Sequence, residues 1–321
     1  MLTLHQHGFL IATALSLFLT PSPTLSNPRS KTTNFTCLPL TAQLSDPIVS
    51  PGQQSAHTNV VTGGTAFQRT MGKETAREAK GTTCEVAIDR SNYWVPALYH
   101  RTGNENGNGS FELVPYEWSR VIYTASATRC GNRSYPLAPP AGLRFVAGDP
   151  KLQTYNDSDP AQPAISYMGL KQSGTSKETK HLPRQACEKL SAQVFFPSCW
   201  DGENLDSPDH KSHMAYPAIG DYNKGICPKT HPVGIFSIFI EILFNTKPFP
   251  DYKNWVYAIG DRTGYGLHGK GWLSDPKCSI TMTQKRPLSP VALQPEVSSP
   301  PDELGQNRTI QALPGYPEHA H

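Results

Sequence analysis

Asp206, Asp209, His210 and His213 stand together in the stretch FFPSCWDGENLDSPDHKSHMAYP (195–217), shortly after Cys199 and Trp200. No other window is so dense in side chains that bind a metal, move a proton or hold a sugar. One tight turn is enough to bring Asp209, His210 and His213 together. Carboxylate oxygen and neutral imidazole suit zinc, manganese or copper, so the trio is a candidate site for a divalent metal. The same groups suit acid–base work, a carboxylate orienting and charging an imidazole. The plainer alternative is a polar loop, with Asp206 and Asp209 closing Asx-type turns around Pro208.

Three more histidines are candidates. His57 sits in a stretch punctuated by Asp46-Pro47, Pro51-Gly52 and Gly63-Gly64, all turn formers. His231 follows Cys227-Pro228 and precedes Pro232, a strand-entry position where a structural histidine is the commoner case. His268 lies in GDRTGYGLHG (260–269), whose glycines imply a tight loop with close backbone approach. Asp261, at the start of that loop, either caps the turn or serves as a ligand. Trp94, Trp200 and Trp272 are candidate platforms for a sugar ring. There is no G-x-S-x-G elbow, H-E-x-x-H, Walker A or G-x-G-x-x-G pattern. A two-carboxylate glycosidase needs only a correctly separated pair of acids, which spacing alone leaves open.

These residues need elements to hold them, and the composition points to strands. The chain of 321 residues carries 25 Gly and 30 Pro with 17% charged residues, which suits many short strands joined by turns. Strand patterns fall at 93–101, 111–118, 120–124, 143–147, 164–168, 192–196, 233–245 and 255–259. Asn- and Gly-rich 102–110 reads as a hairpin loop. The segment 233–245 (VGIFSIFIEILFN) is the most apolar of the mature chain; its Ile and Phe content favours a strand covered on both faces. No internal repeat is present. The expected fold is β-rich, an antiparallel β-sandwich with long disulfide-tied loops and few short helices.

The apolar run Phe9–Leu19 is too short to span a bilayer and fits the core of a signal peptide, with cleavage expected after Ser26. The expected organisation is therefore a signal peptide (1–26), a leader (27–36), one β-rich domain (37–284) and a disordered Pro-rich tail (285–321). The protein is expected to be secreted, extracellular or associated with a cell wall, with no transmembrane segment once the signal is removed. Sequons at Asn34, Asn108, Asn132, Asn156 and Asn307 are expected to be glycosylated. Seven widely spread cysteines with no C-x-x-C pair read as disulfides between distant loops, one thiol being left over; spacing leaves the pairing open. A net charge of +3 without a basic block excludes a nucleic-acid partner.

Several blocks together carry a resemblance: DPIVSPGQ (46–53), SNYW (91–94), GLRFVAGDP (142–150), FPSCWDGENLDSPDHKSHMAYP (196–217), CPKTHPV (227–233) and GDRTGYGLHG (260–269). In this order they resemble the fungal family called domain of unknown function 1996, over roughly residues 37 to 280. The resemblance implies a secreted fungal protein, in a family whose members sometimes carry carbohydrate-binding WSC modules, and no established activity. It raises His57, Asp206, Asp209, His210, His213, His231 and His268 as candidates, because they fall in signature blocks. It also marks two departures. The family tends to carry a histidine where this chain has Asn59, and an aspartate where it has Lys270. The function expected is action on extracellular or cell-wall polysaccharide, of hydrolase or lyase type. The alternatives are a non-catalytic glycan binder or a secreted metal-binding protein, with a partly degenerate site.

Overall fold

The computed structural model describes residues 32–103, 109–124, 136–275, 285–294, 304–305 and 308–315. Strand accounts for 39% and helix for 4%, so the β-rich, antiparallel class expected from composition is the one that forms. A six-stranded sheet runs in the order β1 (Thr32–Cys37), β7 (Tyr116–Thr124), β17 (Ser237–Asn245), β11 (Lys189–Phe195), β9 (Ile165–Lys171), β10 (Gly174–Thr175). A five-stranded sheet runs β2 (Pro39–Gln43), β3 (Asn59–Gly63), β4 (Asn92–Pro96), β19 (His268–Trp272), β8 (Arg144–Gly148). A third sheet joins β18 (Trp255–Tyr257), β5 (Leu98–Thr102), β6 (Ser110–Leu113) and β20 (Thr309–Ile310). Two small sheets complete the set: β13 (Met214–Ala215), β12 (Cys199–Trp200) and β16 (Val233–Gly234), and the hairpin β14 (Ile219–Asp221) with β15 (Lys224–Ile226). The one α-helical turn among the described residues is α1 (Thr75–Glu78).

The two large sheets share the main core. Val121 and Tyr123 of β7, Leu190, Ala192 and Val194 of β11 and Ile238, Ile240 and Ile242 of β17 meet Val60, Tyr93, Val95, Phe145 and Ala147 of the five-stranded sheet. This burial supplies the main driving force, about 25 cal/mol per Å² of apolar surface removed from water. The apolar segment expected to be a strand covered on both faces becomes β17, which pairs with both β7 and β11. Pro96 marks a change of sheet: β4 ends there in one sheet and β5 begins at Leu98 in another, with Ala97 donating its N–H to the Thr58 carbonyl.

Alternation along the five-stranded sheet decides what its outer face presents. Register aligns Val61 with Trp94, and Lys270 with both Trp94 and Val146. Residues two apart share a face, so His268, Lys270 and Trp272 of β19 lie on one side while Gly269 and Gly271 turn to the core. A Cβ at 269 would meet Val194 at 3.0 Å, and one at 271 would meet the Phe145 ring at 2.3 Å. The glycines let β19 press against β11 and β8. On the outer side Ile48, Val61, Phe67, Met71, Ala76, Trp94, Val146 and Trp272 form a second core beneath loops 44–58 and 64–90.

Two boundaries differ from expectation. Residues expected as a leader include Thr32–Thr36, which pair along β7. Residues expected as a disordered tail include β20, paired to β6, with Leu304 and Leu313 buried and Arg286 donating its N–H to the Glu85 carbonyl. Short segments dock by backbone pairing and single apolar anchors, which a proline-rich composition conceals. The segment expected as a signal peptide, Cys130, Cys278, Asn108, Asn132 and Asn307 lie outside the described residues. Cys37 pairs with Cys84 and Cys199 with Cys227, while Cys187 is a buried free thiol. Among the described residues no helix is long and apolar enough to cross a membrane.

Candidate functional site

The central relationship on the outer face is an ion pair. Lys270 projects from the middle of β19, flanked by Trp94 and Val146, and its Nζ lies 2.6 Å from Asp46 Oδ2. The two side chains are only 5% and 2% exposed. Asp46 ends the strand-to-loop passage and accepts the N–H groups of Ile48 and Val49 on Oδ1, which shapes the loop over the sheet. Burial alone pushes the Asp46 carboxyl up, but the Lys270 ammonium and the Val49 N–H outweigh it and hold the group below its ordinary value.

Beside this pair stand two imidazoles. His57 closes the same loop just before β3, and His268 opens β19; their rings meet edge to face with centroids 5.1 Å apart. Burial, reinforced by the Lys270 charge, lowers His57 to about 3. The same two causes, in the same order, hold His268 well below the usual imidazole range. Both rings are therefore neutral at physiological pH. His268 Nδ1 lies 3.0 Å from the Gly266 carbonyl, an acceptor only, so in the neutral ring Nδ1 carries the proton and Nε2 the free lone pair. The Nε2 atoms of both histidines and Oδ1 of Asn59 are buried without a protein partner. Asn59 is fixed by a hydrogen bond from Nδ2 to the Ser45 carbonyl. Orphaned buried polar atoms are uncommon and mark a place where something else binds or reacts.

Asp46, His57, His268 and Lys270 line a cleft of about 520 Å³ that also takes Lys151, Asp209, His210 and Lys211 into its wall. Of the residues singled out by sequence, the structure thus brings His57, His268, Asp209 and His210 to one place. The others hold that place together. Asp206 accepts from His210 Nδ1 (2.9 Å) and from Arg144 (2.7 Å), and the Arg144 guanidinium lies over Trp272 at 4.0 Å. His210 itself has φ 58°, the one non-glycine residue in the left-handed region among those described. Asp209 Oδ1 accepts from the Ser212 and Lys211 N–H groups and from two serine hydroxyls, and those donors keep its carboxyl well below the usual carboxylate range.

The metal trio does not assemble. His213 is buried with Nε2 2.7 Å from the Arg144 carbonyl and Nδ1 2.8 Å from Ser207 Oγ, so both nitrogens are engaged. Among the described residues no group of three or more His, Cys, Asp or Glu is placed to hold a metal ion. His231 likewise spends both nitrogens, on Thr230 Oγ1 and the Ser212 carbonyl, and so ties its loop to the Asp209 turn. Asp261 is wholly buried and accepts from Thr263, Gly264 and Gly266, shaping the loop that delivers His268. Trp94 and Trp272 are buried in the second core, so neither offers the free face a sugar platform needs; Trp200 is half-buried, with Nε1 donating to the Asn204 carbonyl. Sequence reasoning missed Asp46 and Lys211. The signal for Asp46 was its place in a signature block; for Lys211, its position beside His210.

A family model described as Domain of unknown function (DUF1996) matches residues 46–272. The chain belongs to this family. The match begins at Asp46 and ends at Trp272, so the DUF1996 segment opens on one partner of the buried ion pair and closes two residues past the other. Asn59 and Lys270 both fall on the outer sheet face beside His57 and His268. No curated protein and no solved structure matches the chain.

Proposed function

We propose that the protein is a secreted enzyme that acts on extracellular or cell-wall polysaccharide by proton abstraction, a lyase-type reaction. One observation carries the reading: the neutral His268 ring, tautomerically fixed so that Nε2 is a base, lies buried and unpartnered in a cleft beside a fixed ammonium. In such a reaction the base removes the proton α to a sugar carboxylate. The electron pair delocalises into the carboxyl group, and the bond to the leaving glycosidic oxygen then breaks as a carbon–carbon double bond forms. Lys270 and Lys211 supply positive charge where negative charge develops. An anionic substrate raises the proton affinity of both imidazoles on entry, offsetting the depression that burial and Lys270 impose.

Two-carboxylate hydrolysis fits the same cleft less well. It needs one acid held protonated, whereas Asp46 and Asp209 are both held below the ordinary carboxylate range. A divalent metal is disfavoured at the His57–His268 pair because the Lys270 ammonium already occupies that neighbourhood with positive charge. Secretion is supported by the apolar segment Phe9–Leu19, two disulfides, and the exposed sequon residues Asn34 and Asn156. The test is incubation of the glycosylated, secreted protein with a panel of fungal and plant wall polysaccharides. Products with unsaturated ends support the proposal; new reducing ends without unsaturation point to hydrolysis, and retention without products to a binding protein.

A further inference from the structure

A second hollow, of about 270 Å³, adjoins the cleft and shares Val146 and Lys211 with it. Its far wall is formed by Tyr155 and Tyr265, half-buried rings with centroids 6.0 Å apart and planes at 49°. Lys180 lines the hollow too: its Nζ sits 4.1 Å from the Tyr155 ring centre and 3.1 Å from Asp157, while His181 meets Tyr265 edge to face at 6.4 Å. A concave, mostly apolar hollow with aromatic walls and few polar groups is the usual form of a small-ligand site. Tyrosine supplies an apolar ring face together with a hydroxyl, the combination that suits a sugar.

Lys211 stands at the junction. Its Nζ is 2.7 Å from the Gly148 carbonyl, which uses one of its three donors and leaves two for a ligand. Asp149 and Asp159 also line the hollow; Asp149 accepts from the Lys151 N–H, and Asp159 from the Ala161 N–H and the Gln162 amide. At the junction itself the free donors are those of the Lys211 ammonium. We infer that this hollow is a second glycosyl subsite, in which Tyr155 and Tyr265 hold one sugar of an acidic polysaccharide while Lys211 pairs with a carboxylate on the unit crossing into the cleft. This rests on the lyase reading for the identity of the substrate, but it concerns binding and is measured without turnover.

The test is affinity electrophoresis and calorimetry with polygalacturonate and glucuronan as acidic probes and a neutral glucan as control. The acidic probes are expected to bind more tightly than the glucan. Tyr155→Ala combined with Tyr265→Ala is expected to weaken that binding about tenfold or more, since both ring faces are lost. The corresponding Phe pair retains it, which separates ring contact from misfolding. Lys211→Met lowers affinity and flattens the salt dependence. Wild-type affinity in the Ala pair, or no preference for acidic glycans, overturns the subsite. Binding that follows this pattern without any cleavage leaves the subsite standing and removes the lyase reading.

Discussion

The ammonium of Lys270 and the carboxylate of Asp46 meet at 2.6 Å beneath a loop that excludes water from both. Breaking a buried pair from one side strands the other charge, which costs about 3–5 kcal/mol. Lys270→Met should therefore lower the melting temperature sharply, and adding Asp46→Asn should recover much of the loss. Chemical denaturation of the wild type, both single variants and the double variant checks this; equal stability of wild type and Lys270→Met contradicts a structural role for the pair.

Acid should weaken the fold earlier than its carboxylates alone imply. His57 titrates near 3 in the folded chain and near 6.5 when unfolded, so between those values the unfolded state binds the extra proton. Stability is fully present above about pH 6.5 and declines as pH falls toward 3; His268, shifted in the same direction, adds to the slope. The Asp46 contribution is present above the ordinary carboxylate range and is lost only as pH falls below it, because its folded value is lowered. Melting curves from pH 7 to pH 4 should show the decline, and a His57→Gln, His268→Gln variant should flatten it.

Asp261 acts on the site at a distance. Removing its carboxylate leaves Thr263, Gly264 and Gly266 N–H groups without their acceptor, and hydrogen bonds to a charged group contribute about 1.5–3 kcal/mol each. Asp261→Ala is expected to lower both catalytic rate and substrate affinity several-fold, because the turn that it holds delivers His268 and also carries Tyr265. Losses that merely track loss of folded protein contradict a positioning role.

Gly271→Ala tests how closely β19 packs. The added methyl falls 2.3 Å from the Phe145 ring, and overpacking of this kind costs about 1–3 kcal/mol. A melting temperature unchanged by the substitution contradicts the close approach.

The β-rich class and the strand that became β17 were legible because Ile and Phe concentrate there. Only the face of Ile238, Ile240, Ile242 and Phe244 is fully buried, while the other carries half-buried Phe239 and Glu241, the latter paired with Arg120. β19 was not. Gly269 closes the glycine-rich stretch that reads as loop, yet it and Gly271 are glycine because Val194, Phe196 and Phe145 leave no room for a side chain. The densest window, 195–217, proved to be mainly scaffold around the site: His210 and Asp209 reach the cleft, while Asp206 and His213 spend their donors and acceptors on the turn and on Arg144. The base and its ammonium come instead from residues more than two hundred positions away from Asp46 and His57, brought beside them by the β3–β4–β19 ladder. Spacing along the chain carries no record of such a meeting. The tryptophans were misjudged for a related reason: Trp94 and Trp272 share the alternating face of Lys270, which the loop beginning at Asp46 covers.

The most direct measurement is the ultraviolet absorption of unsaturated uronate ends during incubation of purified protein with acidic polysaccharide. The account predicts absorption that grows with time for the wild type and falls at least about a hundredfold for His268→Ala, the size expected for loss of a general base. Absorption that is absent from every acidic substrate, or undiminished in His268→Ala, contradicts it.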